Sequence, residues 1–318
     1  MDKNNIATVD FHDLVSGDAE RKSNFVKEMG DSFSNMGFVI VKNHGVTEEM
    51  KKHLFETSKR FFGLPEEVKS TYEKEELAGQ RGYTGKNKES AKGSELPDLK
   101  EFFHVGQVVT DNDTVSYPDN IWVDEVPELK EVSLEVYRTF EQTGKQLLRA
   151  IALYLGLEEN YFDAKIHNGN SILRLLHYYP LENVDNIPDG AVRAAAHGDI
   201  NLITLLMGGS AEGLQAQSLD GQWISVSPKE NEIVINIGDM LARLTNNKLR
   251  STIHRVINPS KENLKSSRYS MPFFMHPRAE MDLTCLEGCV TEENPKAYKD
   301  MTAGEFLTER LRELGLLK

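Results

Sequence analysis

The sequence predicts a mainly β core of sandwich, barrel or jelly-roll type, flanked by α-helical accessory elements. Two features carry this reading. Beyond Ser171 the chain breaks into short apolar runs, "SILRLLHYYP", "VRAAAHGD", "NLITLLM", "GLQAQ", "QWISV", "EIVINIGD", "STIHRVI" and "RYSMPFFM", divided by Gly, Asn, Asp and Pro. Strands this dense, with no helical period between them, fit an antiparallel all-β architecture better than βαβ units. Ahead of Ser171 the apolar residues recur mostly at helical spacing, so a largely helical segment precedes the β half.

Taken in order, "ERKSNFVKEMGDSFSNMG" spaces Phe25, Met29, Phe33 and Met36 along one helix face closed by Gly37. "FVIVKNHGV" reads as a strand over Phe38 to Val41 ended by an Asn-His-Gly turn. Thr47 then caps a second helix carrying Met50, Leu54 and Phe61 and stopped by Gly63 and Pro65. His44 and His53 fall in this stretch and suit a turn and a helix surface better than a metal. Lys74 to Lys100 is polar and aperiodic, the texture of either a functional loop such as a lid or a mobile one. A long helix over Leu129 to Leu155 follows, and Thr302 with Glu305 forms a capping box that opens a last helix. Two units are expected: an accessory lobe over 1–110, and a helix plus jelly-roll core with the carboxyl-terminal helix over 111–318.

The 318 residues, 39% of them hydrophobic, can bury a sizeable core. A formal net charge of −13 argues against a general nucleic-acid binder, which needs a basic face. The opening "MDKNNIATVDFHD" lacks a signal-peptide pattern, and no apolar run reaches the length of a membrane span. A cytoplasmic protein, monomeric or weakly homo-oligomeric, is expected. The two cysteines, Cys285 and Cys289, read as free thiols of a reducing compartment rather than a disulfide or metal clip.

One stretch asks for a ligand. "AAAHGDINLITLL" sets His197 and Asp199 two apart, so a strand would point both to one face. Two polar groups beside an apolar run cost free energy unless something binds them. With nine histidines and 50 acidic residues in the chain, roughly 1.4 His-x-acid pairs arise by chance, so the pair needs a third ligand. His254 in "STIHRVI" has the best context, projecting opposite Ile253 and Arg255. Two histidines and a carboxylate on one triangular face suit a non-haem Fe(II) site with open positions. A zinc site, or two unrelated core histidines, remains open at this point.

"RYSMPFF" places Arg268, Ser270 and Phe274 on one strand face. A guanidinium and a hydroxyl directed into an apolar barrel can clamp a carboxylate through charge-assisted hydrogen bonds. The ordinary alternative is an arginine solvated at the barrel mouth. In "LRLLHYYP", His177 and Tyr179 share a face, and the Tyr179 hydroxyl could reach the same carboxylate or sit in the core.

With these residues in place, the chain resembles the isopenicillin N synthase-like branch of the Fe(II)- and 2-oxoglutarate-dependent dioxygenases. The likeness covers nearly the whole chain, from "VDFHDL" and "GFVIVKNHGV" through "GYTG" and "LKEFFHVG" to the "HGD" of His197 to Asp199, His254 after 54 intervening residues, and the "RYS" of Arg268 to Ser270. The resemblance implies a distorted double-stranded β-helix, or jelly roll, flanked by helices. It implies Fe(II) on His197, Asp199 and His254, and 2-oxoglutarate reaching Arg268 and Ser270 with its far carboxylate. Tyr179 falls where relatives use the tyrosine of an Asn-x-Tyr-Pro motif, and His177 stands in place of the asparagine. Catalysis then uses dioxygen and 2-oxoglutarate with no catalytic residue beyond the metal centre, and oxidises a small-molecule substrate by hydroxylation, desaturation or ring closure, releasing succinate and CO2.

Some family members close rings or form ethylene without 2-oxoglutarate, in the manner of isopenicillin N synthase or aminocyclopropanecarboxylate oxidase. A non-catalytic binding protein on the same fold is the more distant alternative. For the substrate pocket, strand parity points to Phe274, and the resemblance places Tyr83, Phe103 and the carboxyl-terminal helix near its mouth. Arg193, just before the triad strand, faces either a substrate carboxylate or solvent.

Overall fold

The computed structural model describes residues 5–77, 79–89, 97–181, 192–208, 213–259 and 263–313. Ala78 and residues 90–96 of the polar Lys74 to Lys100 stretch, expected to be a lid or a mobile loop, lie outside the described residues.

The chain begins with β1 (Thr8–Asp10), α1 (Phe11–Val15), α2 (Ala19–Asn35), β2 (Phe38–Lys42), α3 (Glu48–Phe62), α4 (Glu66–Lys69), β3 (Gly82–Thr84) and β4 (Glu101–Gly106). The helices start where the sequence supplies a cap: the Asp18 carboxylate accepts from the backbone N–H groups of Glu20 and Arg21, and the Thr47 hydroxyl from that of Met50. After α2, Gly37 takes a φ of 69°, in the left-handed region that glycine enters without strain, and turns the chain into β2. The long helix expected over Leu129 to Leu155 is α5 (Glu128–Tyr154), followed by the short α6 (Asp163–Ile166). Helices α2 and α5 pack so tightly that a Cβ on Gly30 would fall 2.0 Å from Cδ2 of Tyr154.

Every run read as a strand after Ser171 forms one: β5 (Ile172–Tyr178), β6 (Ala194–His197), β7 (Ile203–Gly208), β8 (Leu214–Gln217), β9 (Trp223–Ser225), β10 (Glu232–Ile237), β11 (His254–Val256) and β12 (Arg268–Met275). Between β10 and β11 lies α7 (Asp239–Leu244), whose six residues are too few to show a helical period in sequence. The last helix, α8 (Ala303–Glu313), opens on the expected capping box: Thr302 Oγ1 accepts from Glu305 N at 3.2 Å while Glu305 Oε2 accepts from Thr302 N at 2.7 Å.

The strands build an eight-stranded sheet in the order β1-β2-β10-β7-β12-β5-β4-β3 and a four-stranded sheet in the order β6-β11-β8-β9. Strands β1 and β2 pair in parallel; the other named pairs are antiparallel. The inner faces meet in an apolar layer where Phe38, Phe102, Leu176, Tyr178 and Val234 of the large sheet pack with Ala194, Leu214, Ala216 and Val256 of the small one. The outer face of the large sheet rests on the helices, joining Phe103, Leu175, Leu205 and Phe273 to Phe140, Leu147 and Ile151 of α5. Full burial of one such side chain stabilises the fold by about 1.5–3 kcal/mol, so this helix-to-sheet layer anchors α5. The result is a jelly-roll core with helices on its outer face. The first 106 residues do not stand apart from it, since they supply β1 and β2 at one edge of the large sheet and β3 and β4 at the other. No helix among the described residues is long and apolar enough to cross a membrane.

Candidate metal centre and active site

Strand β6 ends on His197, and Asp199 sits in the turn just beyond it; strand β11 opens on His254, directly opposite His197 in the ladder. One ligand atom from each of the three lies within 4.8 Å of the others. Asp199 Oδ1 is 4.0 Å from His197 Nε2 and 3.9 Å from His254 Nε2, a span that one ion with bonds of about 2 Å can bridge. The imidazoles are oriented from behind. His197 Nδ1 lies 2.7 Å from the Ala195 carbonyl and His254 Nδ1 3.1 Å from the Thr252 carbonyl. A carbonyl only accepts, so each Nδ1 carries the proton and each Nε2 turns a lone pair to the centre.

Asp199 is prepared in the same way. Its Oδ2 accepts from Thr204 Oγ1 at 2.6 Å and Asn236 Nδ2 at 2.8 Å, leaving Oδ1 for a metal. Burial alone would raise its carboxyl, but His254 and His197, with the Asn236 and Thr204 hydrogen bonds, hold it below the usual range. Burial and the neighbouring His254 push the His197 imidazole down to about 4, so it is neutral at pH 7, the form a metal would bind. Gly198 between them has a spatial reason: a Cβ there would come 3.3 Å from Asp239 Oδ1, tighter than ordinary contact. Two imidazole nitrogens and one carboxylate oxygen in a small cluster are a donor set that would fit Fe(II).

Ladder pairing decides which other side chains share this chamber, because residues directly opposite each other project to one face. Thr204 and Asn236, which hold Asp199, are opposite each other, and Thr204 is opposite Phe274. Phe274, Ser270 and Arg268 of β12 therefore face inward, as expected. Arg268 and Ser270 are both buried, and their partners across β5 are Tyr178 and Leu176. The Arg268 guanidinium lies 4.9 Å from the centroid of the Tyr178 ring. Arg193 is buried rather than solvated, approaches the same ring at 5.7 Å and donates from Nη2 to the Ser266 carbonyl at 3.4 Å.

Four expected site residues lie elsewhere. His177 is opposite Glu101 and Tyr269, on the outer face of the sheet. Tyr179 follows the last residue of β5, and its hydroxyl donates to Asn87 Oδ1 at 3.1 Å. The register seats Leu176 and Tyr178 inside, so the parity read from Tyr179 is off by one and neither His177 nor Tyr179 shares a face with Arg268. Tyr83 and Phe103 belong to the helix-side core, edge-on to Phe61 with ring centroids 5.8 and 5.0 Å away. Phe103 is opposite Leu175, which fixes it to the outer face.

Sequence reading missed a charged cluster on the inner wall. Arg174, two residues before Leu176, lies over Phe102 with its guanidinium carbon 4.1 Å from the ring centroid, and 5.3 Å from that of Phe274. Its Nε donates to His104 Nε2 at 2.7 Å, and its Nη1 and Nη2 meet the two oxygens of Glu89 at 3.0 and 3.2 Å. Lys100 Nζ reaches Glu89 at 2.8 Å and Asp98 at 2.7 Å, and Asp98 Oδ1 accepts from Ala195 N on strand β6, which ends on His197. Burial and the charge of Arg174 push the His104 imidazole well down, consistent with its accepting role. Counting inward from Tyr178 by twos would have marked Arg174; nothing local marks Glu89, which arrives from a distant loop.

Two family profiles match the chain: the amino-terminal region of a non-haem dioxygenase in morphine synthesis over residues 6–125, and the 2OG-Fe(II) oxygenase superfamily over residues 169–277. The chain belongs to the 2OG-Fe(II) oxygenases. It is 31% identical to the 2-oxoglutarate-Fe(II) type oxidoreductase hxnY of Emericella nidulans, over 94% of this chain and 88% of that one. Its fold superposes on a 2OG-Fe(II) oxygenase family protein of Caulobacter crescentus with a TM-score of 0.87 and 42% identity, covering 98% of this chain and 99% of the other. A full-length Neurospora crassa protein in complex with alpha-KG gives a TM-score of 0.85 and 33% identity, covering 98% and 97%. This 2OG-Fe(II) oxygenase is thus a non-haem iron oxidoreductase, a 2-oxoglutarate-dependent dioxygenase using Fe(II), 2-oxoglutarate and dioxygen on a small-molecule substrate.

Proposed function

We propose that His197, Asp199 and His254 hold the Fe(II), that Arg268 and Ser270 receive the far carboxylate of 2-oxoglutarate against the Tyr178 ring, and that the substrate is a small, flat, uncharged heteroaromatic compound seated between the metal and the Phe274 wall. With iron and cosubstrate bound, dioxygen is consumed as 2-oxoglutarate is oxidised to succinate and CO2, and the oxidising equivalents act on a substrate C–H bond. The chain's part is to orient these groups. Nε2 of each histidine and Oδ1 of Asp199 point to one centre, Arg268 and Ser270 would hold the far carboxylate of the cosubstrate, and the apolar inner layer would exclude water.

The observation that carries the substrate class is the charge balance of the inner wall. Arg174 and Lys100 are offset by Glu89 and Asp98 at 2.7–3.2 Å, so the substrate need bring no charge of its own. Phe274 and Phe102 give it aromatic surface, and Arg174 gives hydrogen-bond donors and a flat cationic face. The Neurospora crassa protein, 32% identical in this complex, has been solved with alpha-KG and thymine, and thymine is a compound of this class. The free, buried Cys285 and Cys289 support a reducing, cytoplasmic setting, where the protein acts as a monomer or weak homo-oligomer.

The test has two stages. Fe(II)-loaded protein titrated anaerobically with 2-oxoglutarate develops the visible charge-transfer band of a chelated keto acid, and air then yields succinate. A panel of neutral heteroaromatics, carboxylic acids and amines is next scored for succinate release above that background. Stimulation by the neutral heteroaromatics supports the reading; stimulation confined to the acids or amines overturns it.

A further inference from the structure

We infer that His177, on the face of the sheet away from the metal, is a positioning residue that sets the geometry of the 2-oxoglutarate clamp. The inference rests on the proposed role of Arg268 and Ser270. One imidazole grips both chain neighbours of Arg268: His177 Nε2 is 3.0 Å from Ser267 Oγ, and its ring stacks on Tyr269 at 4.7 Å between centroids with planes 11° apart. Phe62 of α3 covers the ring at 5.1 Å. His177 is opposite Tyr269, and Tyr178, the next residue, is opposite Arg268, so the clamp and its brace are adjacent rungs of one ladder.

The brace is itself held. His177 Nδ1 donates to Glu101 Oε1 at 2.7 Å, while Glu101 Oε2 accepts from Lys69 Nζ at 2.6 Å and from the Tyr83 hydroxyl. His177, Glu101, Lys69 and Tyr83 are all buried. A fully partnered buried network is rigid because each group that moves leaves another unsatisfied in a low-dielectric interior. Removing the imidazole therefore frees Ser267 and Tyr269 and lets the Arg268 backbone shift. A small misplacement of a bidentate contact costs much of its binding.

The test is the affinity of the anaerobic Fe(II) protein for 2-oxoglutarate, measured by calorimetry for wild type, His177→Leu, His177→Gln, Ser267→Ala and Arg268→Ala. We expect His177→Leu to raise the dissociation constant about tenfold, Ser267→Ala to raise it less, and His177→Gln to restore part of the loss. Fe(II) affinity stays as in wild type. The control that separates positioning of the clamp from a merely structural role is 2-oxovalerate, a keto acid lacking the far carboxylate: a structural role would weaken both keto acids, whereas His177→Leu and wild type should bind 2-oxovalerate equally. A wild-type 2-oxoglutarate affinity in both His177→Leu and Ser267→Ala overturns the inference, as does an equal loss for the two keto acids. Should His177→Leu not fold, Ser267→Ala decides, since Ser267 is exposed and its hydroxyl leaves the core intact. Unchanged 2-oxoglutarate binding in Arg268→Ala is a separate result, which removes the clamp reading itself.

Discussion

The side-chain amide of Asn236 donates to Oδ2 of Asp199 at 2.8 Å, and the Thr204 hydroxyl meets the same oxygen at 2.6 Å. Between them they assign the two carboxylate oxygens different work, because the saturated Oδ2 leaves Oδ1 toward the histidines. Asn236→Ala or Thr204→Val should therefore weaken Fe(II) binding by about 10–100-fold. Chelator competition under anaerobic conditions measures this. Wild-type affinity in both variants would take these hydrogen bonds out of the account.

The inner wall predicts a change of selectivity. Burial disfavours the Glu89 carboxylate, yet Arg174 and Lys100 outweigh burial and hold its pKa far down, so it stays ionised through the working pH range. Glu89→Gln leaves Arg174 and Lys100 facing Asp98 alone, an excess of one positive charge. Carboxylated analogues of any neutral substrate should then gain at least about tenfold in kcat/KM relative to the neutral compound. The ratio of the two kcat/KM values, compared with wild type, decides the matter.

Acid should weaken the fold before it titrates most carboxylates. Burial, with the charge of Lys51, pushes the His44 imidazole down to about 4; burial does the same to His276, against the opposing pull of Asp199. The unfolded chain takes up these protons near 6.5, so between about 6.5 and 4 it binds more protons than the native state. Stability is whole above that window and declines as pH falls through it, by up to about 2 kcal/mol per histidine between pH 7 and 5. Urea unfolding at the two pH values should show the drop, and His44→Gln should reduce it. An identical pH dependence in the variant would mean His44 is not involved.

Gly30→Ala tests the α2 and α5 contact. The new Cβ would meet the Tyr154 ring at 2.0 Å, so a helix or the ring must move. A loss of about 1–3 kcal/mol is expected, readable as a lower Tm. Fe(II) and 2-oxoglutarate affinities should hold, since neither helix carries a chamber residue.

Much of this site was legible because period-two parity and spacing are local properties. His197, Asp199 and His254 could be grouped from their strand contexts, and Arg268, Ser270 and Phe274 from one strand. Asp199 nevertheless comes to the two histidines from the segment after β6 rather than from the strand, a local reason that parity does not contain. Parity failed at His177 and Tyr179 because a sequence does not declare which of two alternating sets faces inward; the pairing of Tyr178 with Arg268 does. Tyr83 and Phe103 show the same limit, since an aromatic beside a pocket and one beneath α3 look alike in sequence. Glu89 and Lys100 lay in a stretch without periodicity, and only tertiary contact brings them to Arg174.

The strand order has a consequence for how the molecule is made. β12 is the last strand to leave the ribosome, yet it lies between β7 and β5 in the large sheet. Until it emerges, the growing chain can form two half-sheets, β1-β2-β10-β7 and β5-β4-β3, with no strand to join them. Both present open edges, the state most exposed to mispairing and to chaperone capture. Insertion of β12 closes the sheet and in the same event delivers Arg268 and Ser270, so a nascent chain stopped before it would lack the proposed cosubstrate clamp however long it were given to fold.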